Sequence, residues 1–308
     1  MPPQLIAIVG PNASGKSALA MRVAALLPVE IIACDSLQVY VGMDLGTGKP
    51  TPEERRAVPH HLLDAALPTE AFHAARFAAL ARQAVKYISA RGRVPVVVGG
   101  AGLYLRALLV GLFEAPPPDP EIRERHLREA AAHGTEWLHA RLAVVDAETA
   151  RQVKPRDLVR ISRALEVYEQ TGLPIGELRR RPVEPSGIKS ATLVVDPPLS
   201  LLREKIAARF DAMMAAGLLE ETRQLRARYG RGARPLQALG YKQMGDHLDG
   251  LLALPDAIAA AKTATVDYAR RQRTWFRKER SAWRVEAAPD PAEVVGWWRR
   301  QQAPAEPE

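Results

Sequence analysis

Three groups of residues in this chain have the types and spacing to do chemistry. The first is Gly10, Pro11, Asn12, Ala13, Ser14, Gly15, Lys16 and Ser17, which fits G-x-x-x-x-G-K-[ST]. Glycines at the first and sixth positions let successive backbone amides turn toward one point, and a helix opening there adds its N-terminal amides. Lys16 then neutralises terminal phosphate charge, and Ser17 offers a hydroxyl oxygen to Mg²⁺. The second is Asp35, which follows a short β-type run. A carboxylate there holds Mg²⁺ through water, acts as a general base, or simply caps a following helix. The third is a set of arginines, Arg270, Arg273, Arg277 and Arg280, at spacings of three or four with Tyr268, Trp275 and Phe276 among them. On a helix they share one face, fit either for solvent or for an RNA backbone.

Short apolar runs must position these groups. Residues 5–9, 29–33, 94–98 and 192–195 read as continuous strands, and helical patterns over 18–27 and 72–90 separate the first three. Continuous strands alternating with helices predict an α/β fold around a parallel sheet. A proline-rich break at 115–120 precedes an almost wholly helical stretch to residue 178, and a basic, proline-containing break follows at 179–186. We therefore expect a P-loop α/β core over 1–114 and 187–302, a helical insert at 115–186, and a disordered tail at 303–308. Long helices are predicted over 199–228 and 256–280.

Composition bounds the function. The 308 residues are 47% hydrophobic, enough for a core without staples. The net charge of +8 suits an anionic partner such as nucleic acid. The lone Cys34 excludes an internal disulfide and reads as a buried small residue. His60 and His61 are adjacent, which suits a strand start better than a shared metal. No continuous run of about 18 apolar residues exists, and no basic region precedes the first strand, so we expect a cytoplasmic protein with no membrane partner.

Further motifs make the chain similar to a known family. Asp35-Ser36-Leu37-Gln38-Val39-Tyr40 is followed by Gly42-Met43-Asp44-Leu45-Gly46-Thr47-Gly48-Lys49-Pro50. His60-His61-Leu62-Leu63-Asp64, Gly99-Gly100-Ala101-Gly102-Leu103-Tyr104, Arg163-Ala164-Leu165-Glu166-Val167, Leu239-Gly240-Tyr241-Lys242-Gln243 and 269–277 come after in order. Together with the P-loop these closely resemble tRNA dimethylallyltransferases over almost the whole chain. The resemblance implies that the P-loop holds the diphosphate of dimethylallyl diphosphate, with Mg²⁺ at Ser17. It implies that Asp35 is the general base on an adenine N6 amine, and that Arg209 and Lys16 steady the departing diphosphate. It also implies tRNA contacts at Asp35, Ser36, Leu37 and Gln38, at Ala101 and Arg123, and at Val159, Arg160, Ile161, Ser162 and Arg163. Gln237, Ala238, Leu239, Gly240, Tyr241 and Lys242 complete that set. In such enzymes an anticodon stem-loop lies between core and insert, with the purine after the anticodon flipped into a channel. Arg125, Arg128, Lys154 and Arg156 of the insert suit such a clamp.

The chain departs from the family pattern at Ala101, where Thr is usual, at Val41, at Val266 and Asp267, and at Gly48, where Ala is common. A related enzyme acting on free AMP, a small-metabolite P-loop kinase and an RNA-binding ATPase switch are the rival readings. The insert and the basic helix disfavour the first. A monomer is expected.

Overall fold

The computed structural model describes residues 3–183 and 186–303; of the tail at 303–308, all but Ala303 lies outside the described residues. The chain forms two compact units, one of Met1–Leu109 with Ser186–Glu308 and one of Val110–Pro185. The second unit begins and ends within a few residues of the two proline-containing breaks.

The first unit opens with β1 (Leu5–Val9), α1 (Lys16–Ala24), β2 (Val29–Cys34), α2 (Pro52–Ala57), β3 (His60–His61), α3 (Ala74–Ala90), β4 (Val94–Gly99) and α4 (Gly102–Leu109). The second unit holds α5 (Pro120–His133), α6 (Thr135–Val145), α7 (Ala147–Gln152), α8 (Leu158–Thr171) and α9 (Ile175–Arg180). The first unit resumes with β5 (Ser190–Val195), α10 (Leu199–Ala215), α11 (Leu218–Tyr229), a 3₁₀ turn (Arg234–Gln237), α12 (Tyr241–Leu248), α13 (Leu254–Phe276), β6 (Trp283–Val285) and α14 (Pro291–Gln302).

The six strands make one sheet in the order β3-β2-β4-β1-β5-β6, with every pairing parallel. The central strands β1 and β4 are apolar throughout because both faces are covered. Ile6 and Ile8 pack with Leu19, Val23, Val294 and Trp298 of α1 and α14 in one core cluster. Leu5, Ala7 and Val9 alternate away from it and are equally inaccessible. Each such aliphatic side chain contributes about 1.5–3 kcal/mol of burial.

Parallel pairing brings the carboxyl ends of β1, β2, β4 and β5 to one edge, with Cys34 opposite Gly99 and Val9 opposite both Gly99 and Val194. The P-loop, Asp35, Ala101 and Asp196 follow those ends, the edge where open parallel sheets bind ligands.

The pattern over 199–228 is not one helix. It breaks at Gly217, whose φ of +105° lies in the left-handed region, and α11 leaves from there. The helix over 256–280 stops at Phe276, so Arg280 lies beyond it. β6 and α14 carry no strong periodic signal and were not anticipated. Among the described residues no helix is long and apolar enough to cross a membrane.

The second unit has its own core, built from Leu138, Leu142, Ile161, Leu165, Val167 and Leu178 among others. Beside it sits Glu166, with no exposed surface. Its Oε1 accepts from Arg123 Nε at 2.9 Å and from the Asp119 amide at 2.6 Å, and its Oε2 accepts from Arg163 Nη1 at 2.6 Å. Burial alone would raise this carboxyl, but the bonds from Arg163 and Arg123 outweigh it and hold it below the usual carboxylate range.

Candidate active site

The loop after β1 turns sharply. Ala13 adopts φ +61°, costly for a residue with a β-carbon, and Gly15 caps α1 at φ +90°. Ser14 is buried, and its Oγ has no hydrogen-bond partner. An orphaned buried hydroxyl costs free energy unless something completes it, and a phosphate oxygen would. Lys16 is also buried, with Nζ donating to the Pro11 carbonyl at 3.0 Å. Burial, then the nearby positive Arg209, lower the Lys16 pKa to about 8. The loop thus sets a buried positive charge beside helix N-terminal amides, a combination that suits an anion.

Gln272 of α13 holds that cradle from behind. Its Oε1 accepts from the Asn12 amide at 2.8 Å, and its Nε2 donates to the Gly100 carbonyl at 3.0 Å. The next residue, Arg273, donates from Nε to Asp196 at 2.6 Å. Two successive side chains thus fix α13 to the carboxyl edge of the sheet.

Asp35 caps no helix, because the next one begins only at Pro52; it caps a turn instead. Its Oδ1 accepts from the Leu37 amide at 2.8 Å and from that of Gln38 at 3.4 Å, the geometry of a turn cap. Its Oδ2 makes no hydrogen bond among the described residues and remains open to act on a ligand.

A cavity of about 370 Å³ opens beside these groups. Asn12, Ala13, Lys16 and Ser17 line one side, with Asp35, Ser36, Leu37 and Gln38 next to them. The face of α10 presents Ile206, Arg209, Phe210 and Met213, an i, i+3, i+4, i+7 stripe. From α13 come Thr265, Tyr268 and Arg271, and from the turn before α12 come Gln237, Ala238, Leu239 and Gly240. Ala101 and the loop Gly46, Thr47 and Gly48 close the circuit. The P-loop residues with Lys16 line one end, and Ile206, Phe210 and Met213 give an apolar strip among polar residues, a mix that suits a charged headgroup on a hydrocarbon.

Arg209 reaches the cavity by an unusual fit. Its Nη2 donates to the Thr47 carbonyl at 3.2 Å, and a β-carbon on Gly48 would stand 1.9 Å from that nitrogen. Desolvation lowers its pKa while Asp35 partly restores it. Gln38 Nε2 donates to the Thr47 and Gly48 carbonyls, both at 3.2 Å. Lys49, buried two residues from Thr47, binds the Tyr40 carbonyl at 2.6 Å, Asp44 at 2.8 Å and Asp64 at 2.6 Å.

Several expected RNA contacts face elsewhere. Ile161 is wholly buried in the second unit's core, and Ser162 is turned to His126 at 3.0 Å. An α-helix rotates about 100° per residue, so a run of five cannot present every side chain to one partner. Val159 and Arg160 are the exposed members. Arg123 and Arg163 are bound to Glu166, as described. Tyr241 is fully buried, its hydroxyl donating to Glu221 at 2.6 Å, whereas Lys242 is exposed and pairs with Asp246. On α13 the expected arginine face is also divided. Arg273 is committed to Asp196, Arg270 is exposed but pairs with Asp267 at 2.6 Å, Arg277 faces solvent and Arg271 turns to the cavity. Sequence reasoning did not single out Glu221 or Arg271, and it read Tyr268 with the arginine face rather than with the cavity. The two on α13 could have been found from their i, i+3 spacing.

The sheet order, the P-loop after its first strand and the cavity at its carboxyl edge define a P-loop α/β protein. Residues 38–279 match the model of the IPP transferase family. The chain is 50% identical over 278 residues to a tRNA dimethylallyltransferase of Anaeromyxobacter dehalogenans, covering 90% of this chain and 93% of that one. It is 46% identical to one from Thermus thermophilus, covering 88% and 89%. Among solved structures it is similar to the full-length tRNA isopentenylpyrophosphate transferase of Bacillus halodurans, with a TM-score of 0.69 and 34% identity over 97% of this chain and 98% of that one. A eukaryotic dimethylallyltransferase acting on tRNA gives a TM-score of 0.73 at 26% identity, covering 94% and 75%. The chain belongs to the IPP transferase family.

Proposed function

We propose that this protein transfers a dimethylallyl group from dimethylallyl diphosphate to the N6 amine of the adenine 3′ of the anticodon in tRNA. The observation that carries the reading is the convergence of an anion cradle, an open carboxylate oxygen and an apolar wall on one cavity. The diphosphate sits against the amides of Ala13, Gly15, Lys16 and Ser17, with the Lys16 and Arg209 side chains as its partners. The five-carbon chain lies along Ile206, Phe210 and Met213. The N6 nitrogen attacks the first carbon of that chain as its bond to the bridging oxygen breaks. The electron pair leaves on diphosphate, where Lys16 and Arg209 stabilise it. The N6 proton passes to Asp35 Oδ2.

Mg²⁺ fits the donor set. Ser17 Oγ is a hard oxygen beside the cradle, and no group of three or more His, Cys, Asp or Glu able to cage a metal exists among the described residues. An ion there would keep water and diphosphate oxygens as its other ligands and neutralise leaving-group charge. RNA phosphates fall to the exposed Arg270 and Arg277, and the base is unstacked to reach the cavity. The reading implies a monomer acting in the cytoplasm.

The test compares an unmodified anticodon stem-loop with AMP as acceptors of radiolabelled dimethylallyl. The stem-loop is expected to win in kcat/KM by orders of magnitude. Equal values would mean a free-nucleotide enzyme, and RNA-stimulated ATP hydrolysis without transfer would mean a switch ATPase.

A further inference from the structure

Glu221 stands outside the cavity, yet four donors from two segments that run into the cavity's walls converge on its carboxylate. Its Oε2 accepts from the amides of Asp44 at 3.2 Å and Leu45 at 2.7 Å. Its Oε1 accepts from the Gly46 amide at 3.2 Å and the Tyr241 hydroxyl at 2.6 Å. Three consecutive amides pointing at one anion form a small backbone nest, here filled by the protein's own side chain. Gly46 also lies flat on the Tyr241 ring, where an added β-carbon would meet ring atoms at 2.6 Å.

The bland account of Glu221 is an acid in the first turn of α11, favourable there through the helix dipole. Its neighbour Glu220 fits that account, since it is exposed and pairs with Arg223 three residues on. Glu221 differs because its partners lie in the 44–46 loop and at the start of α12 rather than on its own helix.

The two clamped segments run directly into the site. Gly46, Thr47 and Gly48 form one wall, and Thr47 supplies the carbonyl that Arg209 grips. Residues 237–240, just before Tyr241, form another wall. We infer that Glu221 is a positioning residue that locks the 44–48 loop to α12 and so fixes where Arg209 meets the diphosphate. The inference rests on the proposed transfer reaction for its meaning but is read out through diphosphate binding as well.

Glu221→Gln keeps the shape and replaces one acceptor oxygen by a donor, so part of the four-bond set must break. The amides of Asp44, Leu45 and Gly46 are then expected to exchange about tenfold faster, with those of β1 and β4 unchanged. Calorimetry with inorganic diphosphate should show affinity about five- to tenfold weaker, and the KM for dimethylallyl diphosphate should rise by a similar factor while the stem-loop KM holds. Tyr241→Phe removes one hydroxyl only and should act in the same direction with a smaller effect. Unchanged diphosphate affinity in the folded fraction of both variants overturns the inference, because a purely structural acid would lower the melting temperature without moving that affinity. A wild-type chain that binds diphosphate normally yet transfers nothing to RNA sinks the proposed reaction and leaves the Glu221 comparison intact. A wild-type chain that binds no diphosphate overturns both.

Discussion

The Asn12 amide and the Gln272 side chain meet at 2.8 Å, tying the phosphate loop near one end of the chain to a helix near the other. The contact occupies that amide and anchors the loop to a helix that also carries Thr265, Tyr268 and Arg271 into the cavity. Replacing Gln272 with Ala would orphan the Asn12 amide and the Gly100 carbonyl together. A loss of about 1–3 kcal/mol in urea unfolding is expected. Diphosphate affinity should weaken alongside, measured on protein that remains folded at the assay temperature.

Gly48 and Arg209 compete for the same space. With φ +58°, Gly48 takes a conformation that costs other residues about 1–2 kcal/mol, and a methyl there would strike the guanidinium. Gly48→Ala should therefore lower the melting temperature and push Arg209 off the Thr47 carbonyl. Transfer is expected to slow severalfold at subsaturating donor, and steady-state kinetics would detect it. Wild-type kinetics with an unmoved Arg209 in a crystal of the variant would contradict the steric argument.

Lys16 makes the ligand-free protein pH-dependent. Its folded pKa, about 8, lies below the 10.5 of an unfolded lysine. Between those values the unfolded chain binds more protons, so this group's contribution to stability improves as pH rises through the window. Lys16→Met should consequently stabilise the ligand-free protein at pH 7, with the advantage shrinking between about pH 8 and 10.5. Melting curves at pH 7 and pH 10 check the sign. An arriving diphosphate should pull a proton back onto Lys16, so calorimetry above pH 8 in buffers of different ionisation enthalpy should show uptake.

Asp35→Asn separates the two oxygens. The amide oxygen can still cap the turn through the Leu37 amide, so the fold should hold. The open position can no longer take a proton. Single-turnover transfer should fall by about 10²–10⁴ with RNA affinity nearly unchanged.

Much of this was legible in the sequence because it depends on local pattern. The four main strands are continuous apolar runs, and the phosphate loop follows the first of them, so their edges and the positions of Lys16, Ser17 and Asp35 could be read directly. What escaped was set by distant partners. Nothing near Glu221 distinguishes it from Glu220, because its ligands are the amides of residues 44–46. Arg163 and Arg273 look like free cations until Glu166 and Asp196 are seen beside them. β6 is three residues long and is a strand only because β5 is there to pair with it.

The junction between the two units bears on how fast this chain can fold. Ser186 Oγ donates to the Leu109 carbonyl at 2.5 Å, so the chain leaves the first unit and re-enters it at one spot. Pairing β1 with β5 requires closing nearly the whole intervening sequence, a slow step for a chain rich in distant contacts. If Val110–Pro185 collapses first around its own core, its ends come together and that stretch acts as a short tether. The entropic cost of loop closure grows with the length of flexible chain, so an early-folding insert shortens the effective distance between β4 and β5.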